Sequence, residues 1–345
     1  MKPNQQKMKR HLWVISFLLP LQLLAQDSTM NGLMKDMGNI PETKMPVRIF
    51  NSEKLITANT TEVTGKGKMN FKVTHNFGDI AGKSGGIKSF FGLDYTYDVR
   101  IGFDIGLTSR LDLGLAHAKG DEQPFRHATP VDSTRGVPRL LYEIYFKYQL
   151  CRQLENDPSH PIAVSLFVQS VVSTQTVPMD VNGKVIPNKP ISFEDFSDRL
   201  SEVVQLIIAK KIKKISLQLN PTLVHYNYVP SYDEANTFAL GGAIRVPVSK
   251  AFAIIVDYFH PFHSDDKKNN YYNLFKVKFH DPLSIGLEIL TAGHNFHLNF
   301  TNTTGILESE FIPYTTSAWK YGQYRWGFNL SRKFVLWRPK NKSKS

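Results

Sequence analysis

Two short runs decide how this chain folds: Asn295-Phe296-His297-Leu298-Asn299-Phe300-Thr301 and, after a connection, Tyr324-Arg325-Trp326-Gly327-Phe328-Asn329-Leu330-Ser331. In the first, Phe296, Leu298 and Phe300 alternate with Asn295, His297, Asn299 and Thr301. In the second, Tyr324, Trp326, Phe328 and Leu330 alternate with Arg325, Gly327, Asn329 and Ser331. A period of two is that of a β-strand with one apolar and one polar face. Large aromatics on one face and an arginine on the other fit a strand with hydrocarbon on one side and water on the other.

The same alternation recurs upstream, over 69–73, 99–107, 111–115, 140–148, 162–168, 200–208, 215–219, 238–246, 252–258 and 283–289. With the opening pair this makes about 12 strands, within a range of 10–14. The connections alternate too. Those at 108–110, 212–213, 248–250 and 291–293 are short, and 151–160 is intermediate; the intervening ones are long. Short turns on one side and long loops on the other are the pattern of an outer-membrane barrel. A soluble β-sandwich would also alternate, but its strands commonly run to about 5–6 residues. The expected fold class is therefore all-β: a single-chain antiparallel transmembrane β-barrel.

The first 25 residues read as a secretory signal peptide. Lys2, Lys7, Lys9 and Arg10 precede an apolar run, 12–24, that is too short to span a membrane. Residues 26–64 read as a periplasmic lead-in segment whose second half, 47–64, has weak strand character and packs at or inside the barrel mouth. Residues 65–337 form the barrel, and 338–345 a basic periplasmic tail. The signal peptide and the tail each hold four basic residues and no acid, so the net charge of +12 falls to +4 for 26–337. That balance points to no nucleic-acid partner. Cys151 is the single cysteine, so no internal disulfide forms.

Charges follow the two sides. Arg110, Arg152, Lys210, Lys211, Lys213, Lys214, Lys250, Arg332 and Lys333 lie with the short turns, where they meet anionic headgroups. The long loops carry Asp121, Glu122, Glu194, Asp195, Asp233, Glu234, Asp265, Asp266, Glu308 and Glu310, read as solvated charges or as divalent-ion bridges to lipopolysaccharide.

Several phrases, in order, resemble an uncharacterised β-barrel family of Bacteroidota outer membranes. They are His75-Asn76-Phe77-Gly78, Phe91-Gly92-Leu93-Asp94, the run Ile101-Gly102-Phe103-Asp104-Ile105-Gly106-Leu107-Thr108, Asp257-Tyr258-Phe259-His260-Pro261, Gly293-His294-Asn295-Phe296 and the run 327–334. Asn76 departs from the Arg expected there. The resemblance implies a barrel in the outer membrane and implies no activity.

Catalytic and metal motifs are weak. His294 and His297 are three apart on a strand and point to opposite faces. His260, His263, Asp265 and Asp266 would need a loop to gather them around a metal. His297, Asn299 and Ser331 offer the groups of a membrane-embedded lipid hydrolase, but without a recognisable nucleophile motif. Residues 82–86 resemble a phosphate loop only in composition. No enzyme activity, metal or cofactor is expected.

The polar face carries the informative chemistry. Lys72, Arg100, Asp104, Asp112, Glu143, Lys147, Arg245, Asp257, Glu288, His297 and Arg325 are the lumen-lining candidates. Both signs are present, so they either neutralise one another in a filled barrel or line a charged passage for small polar solutes. The expected function is a small passive channel or solute-binding barrel; a structural or adhesive surface barrel is the alternative. The expected partners are outer-membrane lipids and lipopolysaccharide, and the barrel-assembly machinery, which would read the aromatic end at Phe334 and Trp337.

Overall fold

The structure is a computed structural model and describes residues 44–82, 85–94, 96–121, 138–174 and 195–337. The signal peptide, the lead-in before residue 44, the basic tail, residues 83 and 84 of the glycine-rich run at 82–86 and much of two long loops lie outside the described residues. The acids Glu122 and Glu194 lie outside them too.

Twelve strands form one closed antiparallel barrel in which each strand pairs with its sequence neighbours and β1 pairs with β12. They are β1 (Lys68–Asp79), β2 (Thr96–Gly106), β3 (Leu111–Asp121), β4 (Pro138–Cys151), β5 (Ala163–Ser173) and β6 (Leu200–Ile212). The second half comprises β7 (Ile215–Tyr226), β8 (Asn236–Pro247), β9 (Phe252–Phe262), β10 (Leu283–Leu290), β11 (Asn295–Thr301) and β12 (Arg325–Val335). Closure leaves no sheet edge, so every strand finds backbone partners on both sides, which a bilayer demands. No described helix is long and apolar enough to cross a membrane.

Alternation fixes which face is which. Phe103, Leu115, Ile144, Phe146, Val168, Leu240 and Ile254 are exposed on the outside, while Arg100, Asp104, Glu143, Gln169 and Asp257 are buried within. The turns at 107–110, 213–214, 248–251 and 291–294 are short, and the opposite end carries the long loops. The last strand begins at Arg325 rather than Gly322, because a 3-10 turn over Trp319–Tyr321 and a left-handed Gly322 occupy the residues before it.

The seam runs in register from Lys68↔Val335 to Asn76↔Gly327. Gly67 seals its end. Its carbonyl accepts the backbone N–H groups of Leu336 and Trp337, and a Cβ there would collide with Trp337. Gly67 also has φ +74, so two independent demands select glycine. Phe334 pairs with Met69 and, like Trp337, remains partly exposed.

Among the described residues two α-helices decorate the long-loop end. Helix α1 (Asp265–Phe275) lies in the β9–β10 connection, and the one-turn-longer-than-minimal α2 (Glu308–Tyr314) in the β11–β12 connection. Ser264 caps α1 by accepting the Lys267 N–H, and Asp265 and Asp266 sit in its first turn. The two acids therefore complement the positive end of a helix. They do not join His260 and His263 around a metal: among the described residues no group of three or more potential ligands converges.

Candidate functional site

The lumen is occupied. Residues 45–64 fold as a hairpin inside the barrel, entering and leaving at the short-turn end. The entry is held by Val47 N–H donating to the Gln153 carbonyl (2.8 Å) and Glu155 N–H to the Met45 carbonyl (3.0 Å). Gln153 lies in the β4–β5 connection, whose extra length gives the entering strand its dock. The hairpin turns over Leu55–Ala58, with Lys54 bridging Asn59 and Thr60 N–H donating to the Glu53 carbonyl (3.0 Å). Its two arms are tied by Glu62, whose carboxylate accepts the N–H groups of Ile49 and Phe50. The chain returns to β1 through Gly65, which packs so closely on Gly106 that no Cβ fits at Gly106.

Of the described part of the lead-in expected over 26–64, residues 45–64 lie inside the barrel as a plug, deeper than the mouth position expected for 47–64. The physical reason lies in its composition: Ile49, Phe50, Leu55, Ile56 and Ala58 are fully buried, and they gain from leaving water. They join a cluster with the inward side chains Tyr145, Phe167, Ile207, Ile255 and Phe259. Those wall residues were missed by pattern reading. They are apolar on the polar face, and such interruptions are the sequence signal that something apolar fills the lumen.

The wall grips the plug mainly by its backbone. Asp257 accepts the N–H groups of Thr57 (2.6 Å) and Ala58 (2.9 Å). Asp112 accepts the N–H of Thr64 (2.7 Å). Lys147 donates to the carbonyls of Glu53 (2.9 Å) and Thr60 (3.4 Å). Asn329 donates to those of Leu55 (2.7 Å) and Ile56 (3.1 Å). Gln218 and Asn220 share the Asn59 carbonyl, and Gln149 and Ser165 share that of Thr61. His297 faces the Leu55 carbonyl through Nδ1 (3.2 Å) and Glu288 through Nε2 (3.7 Å).

The remaining candidates are paired with one another. Lys72 meets Asp104 at 2.7 Å, and Arg100 meets Glu143 at 2.5 Å. Tyr145 joins the first pair, donating to Asp104 and lying 3.0 Å from Lys72. Gln169 donates to the second pair at Glu143. Arg245 meets Glu288, which also takes Asn51 of the plug (3.1 Å). Arg325 meets Asp79 and donates to the Asn302 carbonyl. Buried charges persist only when paired in this way.

Glycine makes one such contact possible. Asp104 on β2, Gly114 on β3 and Tyr145 on β4 are in register, and a Cβ at Gly114 would strike the Tyr145 ring. With glycine there, the ring lies across β3 and its hydroxyl reaches Asp104. Gly241 and Phe259 repeat the arrangement on β8 and β9.

From the long-loop end, α2 descends to meet the plug. All seven of its residues are buried. Glu308 takes Lys54 (2.8 Å) and Asn59 (3.0 Å) of the plug, and Phe311 packs edge-on against Phe259. Glu308 and Glu310 therefore point inward, rather than being the solvated loop acids their positions suggest. Between plug and wall, beside Lys72, Arg100 and Asn329, a cavity of about 20 Å³ remains, room for roughly one water.

At the long-loop end a further buried pair joins three loops. Lys267 of α1 meets Asp233 at 2.9 Å, and Asp233 also accepts the hydroxyls of Tyr271 (2.7 Å) and Tyr314 (2.8 Å). The Lys267 ammonium lies 4.8 Å from the Tyr314 ring centre. Burial opposes ionisation of Asp233, but the Lys267 charge and these hydrogen bonds hold its carboxyl below the ordinary range. Nearby, burial and then the Lys267 charge push the His263 imidazole down to about 3.

Comparisons with known proteins place this geometry among membrane barrels. A family model described as a membrane bound beta barrel domain (DUF5777) matches residues 50–334. Among solved structures, a KdgM porin aligns at 7% identity and TM-score 0.42, covering 77% of this chain and 99% of that one. The COG4313 outer membrane channel from Pseudomonas putida F1 aligns at 10% and 0.45, covering 79% and 98%. The outer membrane phospholipase A from Escherichia coli aligns at 8% and 0.37, covering 78% and 93%. At these levels the alignments do not separate a channel from an enzyme. No curated protein matches the sequence.

Proposed function

The chain belongs to the DUF5777 family of membrane-bound β-barrel domains, and we propose that it is a plugged passive channel of the outer membrane. The observation that carries this reading is the way the plug is held. Asp257, Asp112, Lys147, Gln218 and Asn329 contact a removable chain segment rather than one another. If the hairpin leaves, those groups become the lining of a water-filled passage of mixed charge, which suits small polar solutes. The long loops then face the exterior, and the short turns and the plug entrance face the periplasm.

A structural barrel without transport is the second reading. The apolar cluster of Phe50, Leu55, Phe167, Ile207, Phe259 and Phe311 favours it, because that cluster resembles the core of a soluble domain and anchors the plug. In neither reading is the chain a catalyst. His297 lies inside the barrel with its nitrogens toward Leu55 and Glu288, away from any lipid substrate.

Planar-bilayer conductance separates the two. The full chain is compared with variants lacking 45–64, and lacking both 45–64 and the inward loop 305–315. Channel function predicts large steady conductance when the hairpin, or the hairpin and loop, are removed. Folded barrels of both variants that stay electrically silent would establish the structural reading instead.

A further inference from the structure

We infer that the lumen is a binding site for folded-back peptide backbone, so that oligopeptides are the solute class it takes. The inference rests on the channel reading in one respect, that the plug can leave. The argument begins with what the wall touches. Its contacts to the plug fall mostly on main-chain atoms, and they are segregated by kind. Ammonium, amide and hydroxyl donors of Lys147, Gln218, Asn220, Asn329 and Ser216 meet carbonyl oxygens. Carboxylates of Asp257 and Asp112 meet N–H groups.

That division matches a polypeptide, in which each residue offers one fixed donor and one fixed acceptor. The apolar cluster beside the polar wall adds seats for large side chains, occupied now by Phe50 and Leu55. Alternating backbone bonds for affinity and apolar pockets for side chains are how extended peptides are bound elsewhere. Direct readings of plug side chains are fewer: Glu288 takes Asn51, Asn70 and Lys333 take Glu53, Asp257 takes the Thr57 hydroxyl, and Glu308 takes Lys54 and Asn59. Recognition of this kind tolerates sequence and requires an unblocked backbone.

The test uses the full chain. Lys66 is exposed between Gly65 and Gly67, so a specific protease site inserted after it lets the folded barrel be cut, leaving the plug held without a covalent link. Fluorescent peptides are then exchanged in, read by anisotropy. Four competitors are used: the 45–64 peptide, the same peptide N-methylated at Thr57 and Ala58, a peptide keeping Phe50 and Leu55 but scrambled elsewhere, and a maltooligosaccharide series. The parent peptide is expected to bind. The N-methylated one is expected to bind about tenfold or more weakly, having lost two hydrogen bonds to a carboxylate. The scrambled peptide is expected within about tenfold of the parent, with no displacement by sugars.

Equal binding of the N-methylated peptide, or displacement by the oligosaccharides, would overturn the inference. If either occurs while the cut barrel conducts, the channel reading survives and the peptide assignment alone is lost. If nothing exchanges and the cut barrel is silent, both are lost. A barrel lacking 45–64, refolded without its plug and given the same four probes, repeats the comparison if the inserted site resists cleavage.

Discussion

Asp257 on β9 places one carboxylate oxygen 2.6 Å from the backbone nitrogen of Thr57, and the same oxygen takes the N–H of Ala58 at 2.9 Å. A wall side chain thus supplies the partners that the tip of the hairpin cannot find within itself. Replacing Asp257 by Ala strands two buried donors, each worth about 1–3 kcal/mol. We expect the tip to loosen without loss of the barrel. In a Thr57→Cys background, Asp257→Ala is expected to speed thiol labelling by about tenfold or more. An unchanged labelling rate, with the heat-modifiable barrel intact, would show that the carboxylate does not hold the tip.

Gly114 is the second point of leverage. A Cβ there collides with the Tyr145 ring, so Gly114→Ala is expected to push the Tyr145 hydroxyl off Asp104. Overpacking of this kind costs about 1–3 kcal/mol. The midpoint of thermal unfolding in detergent is expected to fall, and a Tyr145→Phe barrel should lose less than Gly114→Ala because its ring stays seated. A Gly114→Ala barrel as stable as the parent would mean that the ring has another place to go.

The loop lid titrates in a stated direction. His263 is held neutral down to about 3, against about 6.5 when unconstrained. An opened lid binds a proton that a closed one does not, so closure weakens as pH falls from about 6.5 toward 3. Asp233 is also depressed. Its contribution is present above the ordinary carboxylate value and is lost as pH falls through its own lower one. Protection of the α1 amides, corrected for the intrinsic exchange rate at each pH, is therefore expected to fall on acidification, first through His263. In His263→Gln the change between about pH 6.5 and 4 should vanish, leaving the Asp233 step. An unaltered pH profile in that variant would assign the effect elsewhere.

The barrel was legible because lipid enforces a strict period of two, and the outer aliphatic rows of β2, β4 and β9 show it without interruption. Strand order followed from the loop lengths. What occupies the barrel was written less plainly. Ile207 between Leu206 and Ile208, or Phe259 beside Tyr258, looks like hydrophobic excess until its inward direction is known. The plug itself has few periodic residues, because it is held by backbone contacts and by a few apolar side chains at irregular spacing, Ile49, Phe50, Leu55 and Ile56. Asp233, Glu308 and Glu310 were misleading for a related reason. A carboxylate in a loop is solvated unless that loop turns inward, and only the fold shows that it does.

Both arms of the hairpin pass through the same mouth of the barrel. Among the described residues no segment is threaded from one end to the other, so the ring of twelve strands encircles a folded-back loop and not a strung cord. Withdrawal and return therefore need no break between β1 and β12 and create no entanglement. On the channel reading the hairpin would work like a bolt on a tether, with Gly65, Lys66 and Gly67 keeping it attached to the first strand.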